Sequence, residues 1–168
     1  TTGLALAGNA ATAAAPQSFT FSFNNIYSVG EEGDPTNTTM TFDIGRHSQV
    51  IGFSWDVAVT AFEPSWLSEM AVSVANNIGE GFYFRPVLAL DESGSATSSG
   101  SVDLLNSGLS FSARRSGSLQ FEFFEWYDDL ADAADGRWDR GQFSILYAPI
   151  PEPASLALFA AGLAGIVL

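Results

Sequence analysis

The sequence predicts an all-β fold, an antiparallel β-sandwich or jelly roll, with a C-terminal transmembrane helix. Three observations carry this. Fourteen Phe and four Trp in 168 residues favour pleated, half-buried surfaces. Apolar residues alternate with polar ones in several short runs spaced 8–15 residues apart, as turn-linked strands do. The chain closes on an apolar, uncharged run from Ala154 to Leu168.

The elements follow in order. Thr1 to Ala15 is uncharged and rich in Ala, Gly and Leu. It reads either as the remnant of a signal peptide, with cleavage after Ala14, or as a short Ala-rich segment that stays in place. Ser18 to Phe23 sets Phe19, Phe21 and Phe23 on one face of a strand. Asn24-Asn25 and then Gly30 to Pro35 read as turn and loop, Thr38 to Phe42 as a second strand, and Gly45 to Ser48 as a turn. Gln49 to Phe62 is the strongest strand, with Ile51, Phe53, Trp55, Val57 and Val59 sharing a face.

Met70 to Ala75 and Phe82 to Ala89 follow, the latter marked by Pro86 as an edge or bulge. Asp91 to Ser101, rich in Ser and Gly, reads as a surface loop. Short strands are expected at Val102–Leu105 and Leu109–Ala113, then alternating strands at Leu119–Phe124 and Gln142–Tyr147. The domains are therefore 1–15, a β-sandwich over 17–148, and a tail over 149–168.

Net charge is −13, and all six basic residues are Arg. Such a surface repels nucleic acid, so no nucleic-acid partner is expected. Cysteine is absent, which excludes thiol catalysis and Cys-ligated metals. The lone histidine, His47, follows Arg46 in a turn, has no second His beside it, and is expected at the surface. No Gly-x-Ser-x-Gly elbow occurs. Glu122 and Glu125 could be set as a glycosidase pair, but Glu122 falls on the polar face of its strand. No catalytic residue is assigned, and the chain is not expected to be an enzyme.

Two groups of side chains carry binding chemistry. Asp128, Asp129, Asp132, Asp135 and Asp139 fall within twelve residues, with Gly136 permitting a tight turn. Dense carboxylates on a loop suit Ca²⁺, which takes six to eight oxygens; a solvated acidic loop is the competing reading. Trp66, Trp126, Tyr127 and Trp138 are expected at loop or strand ends, where aromatic rings stack on sugars or simply cap the core.

The triplet Pro151-Glu152-Pro153, followed by Ala154-Ser155 and the apolar run, resembles the sorting tail of PEP-CTERM proteins. The resemblance covers Pro149 to Leu168 as Pro-Glu-Pro and the start of a membrane helix. The family's closing basic cluster is not among these residues. It implies export, anchoring in the inner membrane facing the periplasm, recognition by an exosortase, and delivery to the cell surface or matrix. More weakly, Ser65 to Glu69, Phe123 to Asp129 and Asp135-Gly136-Arg137-Trp138 resemble segments of jelly-roll bodies carried by such proteins, themselves similar to proprotein-convertase P-domains. The expectation is an exported structural or interaction protein of the envelope or matrix. The alternatives are an accessory subunit of a membrane complex and a carbohydrate- or Ca²⁺-binding module.

Overall fold

A computed structural model describes residues 14–131 and 133–150. Among the described residues, nine strands form two antiparallel sheets: β1 Gln17–Ser28, β2 Thr38–Asp43, β3 Gln49–Ala61, β4 Met70–Asn76, β5 Gly81–Phe84, β6 Gly94–Asp103, β7 Phe111–Ser112, β8 Ser118–Glu125 and β9 Gly136–Ala148. A 3-10 turn, Leu67–Glu69, precedes β4. One sheet runs β1-β9-β3-β6, with β7 paired to β3; the other runs β2-β8-β4-β5. First strand beside last, and second beside the penultimate long strand, is the winding of a jelly roll. The expected all-β antiparallel sandwich is thus present. The expected membrane helix falls on residues outside those described; among the described residues no helix is long and apolar enough to cross a membrane.

The core lies between the sheets and is largely aromatic. Phe23, Phe121, Phe123, Trp138 and Phe143 are all buried. Phe123 meets Trp138 edge-on at 5.4 Å, and Phe23 lies 4.9 Å from Phe143. Alternation puts them there: Leu119, Phe121 and Phe123 share the inner face of β8, as Phe143 and Ile145 share that of β9. Gly141 makes room for the ring of Phe23; a Cβ at this position would stand 2.2 Å from Phe23 Cζ.

Three sequence expectations are corrected. Asn24-Asn25 is not a turn. β1 runs through it, and Asn25 takes φ 50° while the pairing with β9 keeps the same register on both sides. Asp91 to Ser101 is not wholly a loop, because from Gly94 it forms β6, an edge strand paired to β3 across ten residues. Its small side chains are what fit: a Cβ on Gly100 would stand 2.7 Å from the Trp55 ring, and Trp55 Nε1 donates to Ser98 Oγ at 3.0 Å. The strand predicted over Phe82–Ala89 stops at Phe84, ahead of Pro86, and β5 is an edge strand.

Candidate functional site

β1 and β9 pair from Gln17↔Tyr147 to Ser28↔Gly136. The domain therefore has a pole where the described chain enters and leaves, and an opposite pole built by the segments after β1, after β3 and between β8 and β9. Most of the predicted binding residues fall at the opposite pole.

Main-chain hydrogen bonds assemble it. Glu125 N donates to Gly30 O at 2.9 Å, Trp126 N to Glu69 O at 2.8 Å, Asp135 N to Ser28 O at 3.0 Å, and Phe62 N to Asp135 O at 2.7 Å. The 31–37 segment is shaped by buried Asn37, which donates to Glu31 O (2.8 Å) and to Glu122 Oε1 (3.0 Å). Glu122 also accepts from Gly33 N at 2.6 Å.

Beneath the surface lie two carboxyl groups. Glu125 and Asp135 are each 0 % exposed. Both Glu125 oxygens, Asp135 Oδ1 and Ser65 Oγ have no hydrogen-bond partner. The hydroxyls of Ser65 and Ser28 lie beside the Asp135 and Glu125 carboxyls respectively, neither reaching hydrogen-bond geometry. The Glu125 carboxyl abuts Met70 and Gly136, where a Cβ would lie 3.1 Å from Oε1. Burial pushes the Glu125 carboxyl up to about 9, and the negative charges of Asp135, Glu69 and Asp129 add to this. Burial also raises Asp135 and Glu69. Glu69 accepts from Trp66 N at 2.9 Å, and Asp129 N donates to Asp135 Oδ2 at 3.1 Å.

Above the carboxyls an aromatic strip is exposed. Trp126 (47 %), Tyr83 (54 %) and Tyr127 (61 %) stand out from the surface. Tyr83 packs edge-on to Trp126 at 5.5 Å and donates its hydroxyl to Glu32 Oε2 at 2.8 Å. The Arg85 guanidinium lies 5.1 Å from the Trp126 ring centre. Glu31, Glu32, Tyr83, Phe124, Glu125 and Trp126 line one groove. An adjoining groove carries Asp34, Tyr127 and Asp128. A more apolar hollow on the other sheet, beside Phe53, Val102 and Leu146, has Asp103 as its only titratable residue.

The predicted residues separate on this frame. Trp126 and Tyr127 are exposed as expected. Trp66 is exposed at the 3-10 turn, with no ring contact to the strip. Trp138 is corrected: it is 0 % exposed, because β9 already begins at Gly136 and turns this ring inward, where Nε1 donates to Ser28 Oγ at 3.2 Å. It cannot stack on a ligand.

The five aspartates do not form one set. Asp128 is exposed and Asp135 buried. Asp139 lies on β9, accepting from Arg137 Nε (2.6 Å) and Thr60 Oγ1 (2.7 Å). Asp132 falls outside the described residues, as do Pro151, Glu152 and Pro153. Among the described residues no three His, Cys, Asp or Glu side chains are disposed as a metal's ligands. Glu122 and Glu125 lie on opposite faces of β8, so they do not face each other as a glycosidase pair. His47 is exposed in its turn.

Sequence reasoning missed Tyr83 and Ser65, and weighed Glu125 only as a partner for Glu122, without its burial. For Glu125 the signal was present: the inward series Leu119, Phe121, Phe123 continues, two residues on, to Glu125.

Residues 149–168 match the PEP-CTERM protein-sorting motif. No curated protein matches the chain. Among solved structures, the VP2 subviral particle of infectious bursal disease virus is 10 % identical, with a TM-score of 0.39 over 87 % of this chain and 37 % of that one. The serine protease of Aeromonas sobria is 11 % identical, with a TM-score of 0.39 over 84 % of this chain and 28 % of that one. This chain spans little more than a third of the first and less than a third of the second. At these TM-scores neither likeness supports a statement about function.

Proposed function

We propose that this chain, which carries a PEP-CTERM protein-sorting motif at residues 149–168, is an exported, membrane-anchored protein handed by an exosortase to the cell surface or matrix, where it serves as a non-enzymatic structural or interaction protein. The observation that carries this is the junction: β9 ends at Ala148 and the motif begins at the next residue. A folded domain set directly on a sorting signal is the layout of a displayed module. The acidic, Lys-free composition suits a solvated exterior. A non-enzymatic role is supported by the exposed lone histidine and by the opposed faces of Glu122 and Glu125.

The test is fractionation and intact mass of the native protein with and without its exosortase. The reading expects a shortened, surface-located product, and accumulation of the unshortened form in the membrane on Glu152→Ala. A native protein that keeps its tail with and without the enzyme overturns it. A stoichiometric partner in detergent would then favour the accessory-subunit reading.

A second reading, a carbohydrate-binding module, is favoured by the exposed Tyr83–Trp126 pair beside Glu31 and Glu32, with Tyr127 and Asp128 in the adjoining groove. Flat rings stack on the apolar faces of sugars while carboxylates accept their hydroxyls. Polysaccharide binding lost on Trp126→Ala, with the fold intact, would support it. Binding unchanged in that variant would refute it.

A further inference from the structure

We propose that the buried oxygens of Glu125, Asp135 and Ser65 form a site for one divalent cation of the Ca²⁺ class, which ties both ends of the 126–135 loop to the β3–β4 connection. Among the described residues, four buried side-chain polar atoms lack a partner, and all four belong here: Ser65 Oγ, Glu125 Oε1 and Oε2, and Asp135 Oδ1. An unpaired buried polar atom destabilises the fold, a charged one more so. Asp135 lies near enough to act on Glu125, and Ser65 lies beside Asp135, so the four unpartnered atoms share one buried region that a ligand could complete.

The chemistry of the donors selects that ligand. They are all oxygens, which suit hard cations, and two belong to the same carboxyl, which can bind edge-on. No protein cation answers them, since the three salt bridges among the described residues involve Glu80, Asp139 and Asp56. The charges of Glu69 and Asp129 add to the negative potential at Glu125. Binding releases the Glu125 proton to solvent; the two carboxylates and a hydroxyl then leave positions for water and main-chain oxygens, which Ca²⁺, with six to eight ligands in loose geometry, accepts more readily than Mg²⁺. So few charged ligands place the affinity at about 10⁻⁴–10⁻³ M, the weak range of extracellular modules.

The site differs from the predicted acidic-loop set, sharing only Asp135 with it. Its consequence is local. Glu125 ends β8 and Asp135 immediately precedes β9, so one ion would pin both stems of the loop that bears Trp126 and Tyr127. This inference stands apart from the proposed function, since sorting and sugar binding can each succeed or fail without it.

The test uses the full chain in mild detergent, stripped with EDTA and titrated with CaCl₂ alone. At about 100-fold over Kd, the melting temperature should rise by about 5–10 °C. Calorimetry should show one ion bound per chain. Glu125→Gln and Asp135→Asn should each abolish the response, while Asp139→Asn keeps it. Circular dichroism in EDTA establishes that the variants are folded. Limited proteolysis provides a readout on the unaltered chain, where cleavage within 126–135 should slow several-fold with Ca²⁺. The inference is overturned if CaCl₂ neither binds nor shifts the melting temperature, or if the response survives both Glu125→Gln and Asp135→Asn.

Discussion

Replacing Glu125 by Gln should stabilise the ion-free protein, and increasingly so as pH rises. The carboxyl is buried beside Met70 and Gly136, with Asp135, Glu69 and Asp129 as its charged neighbours. Folding raises it from an ordinary 4.5 to about 9. Below pH 4.5 it is protonated in both states and favours neither. Between 4.5 and 9 the unfolded chain releases the proton while the folded chain retains it, so stability falls as pH rises. Above 9 both states are ionised and the loss stays constant. At 1.36 kcal/mol per pH unit, the loss is on the order of 3 kcal/mol at pH 7 and about 6 kcal/mol beyond pH 9. Gln keeps the shape and carries no proton to lose.

Urea unfolding in EDTA at pH 5, 7 and 9 measures this. Wild type and variant should nearly coincide at pH 5. At pH 7 the variant's midpoint should lie about 1–3 M higher. The residual slope in the variant should keep the same sign, because burial also raises Asp135 and Glu69. A difference between the two proteins that stays flat with pH, or a variant less stable at pH 9, would refute the placement of this carboxyl.

Trp138→Ala should lose about 3–5 kcal/mol, read as a lowered urea midpoint, since the ring is fully buried between the sheets. Gly141→Ala should lose about 1–3 kcal/mol by driving a methyl into Phe23, again by urea unfolding. Asn37→Ala should cost about 1–3 kcal/mol and speed proteolysis within 31–37, because Glu122 and two main-chain groups lose their partner. Trp126→Ala should leave the melting temperature within about 2 °C of wild type, as its ring is half exposed.

Much of the fold was legible because aromatic alternation is hard to mistake. Phe19, Phe21 and Phe23 could face only one way, and likewise Leu119, Phe121 and Phe123. β6 was illegible because its sequence, GSATSSGSVD, holds almost nothing to bury. It is a strand because β3 offers an open edge and the Trp55 ring requires a neighbour without a side chain. The exposed aromatics were half legible: adjacent Trp126 and Tyr127 directly follow a strand, whereas Tyr83 reaches Trp126 only through the pairing of β4 with β5 and β8. Trp138 was misplaced because the loop was read too long. The burial of Glu125 was overlooked because a carboxylate ending an apolar series looks like the point where burial stops.

The placement of β9 has a mechanical consequence. It is the strand that leads into the sorting motif, and it is hydrogen-bonded on both flanks, to β1 and to β3. Tension applied at Ala148 along this strand is shared by two ladders loaded in shear, whose bonds run across the direction of pull and must yield together. An edge strand in the same place would peel one bond at a time. A domain tethered through its best-held strand resists drag on its distal face by the whole length of its sheet.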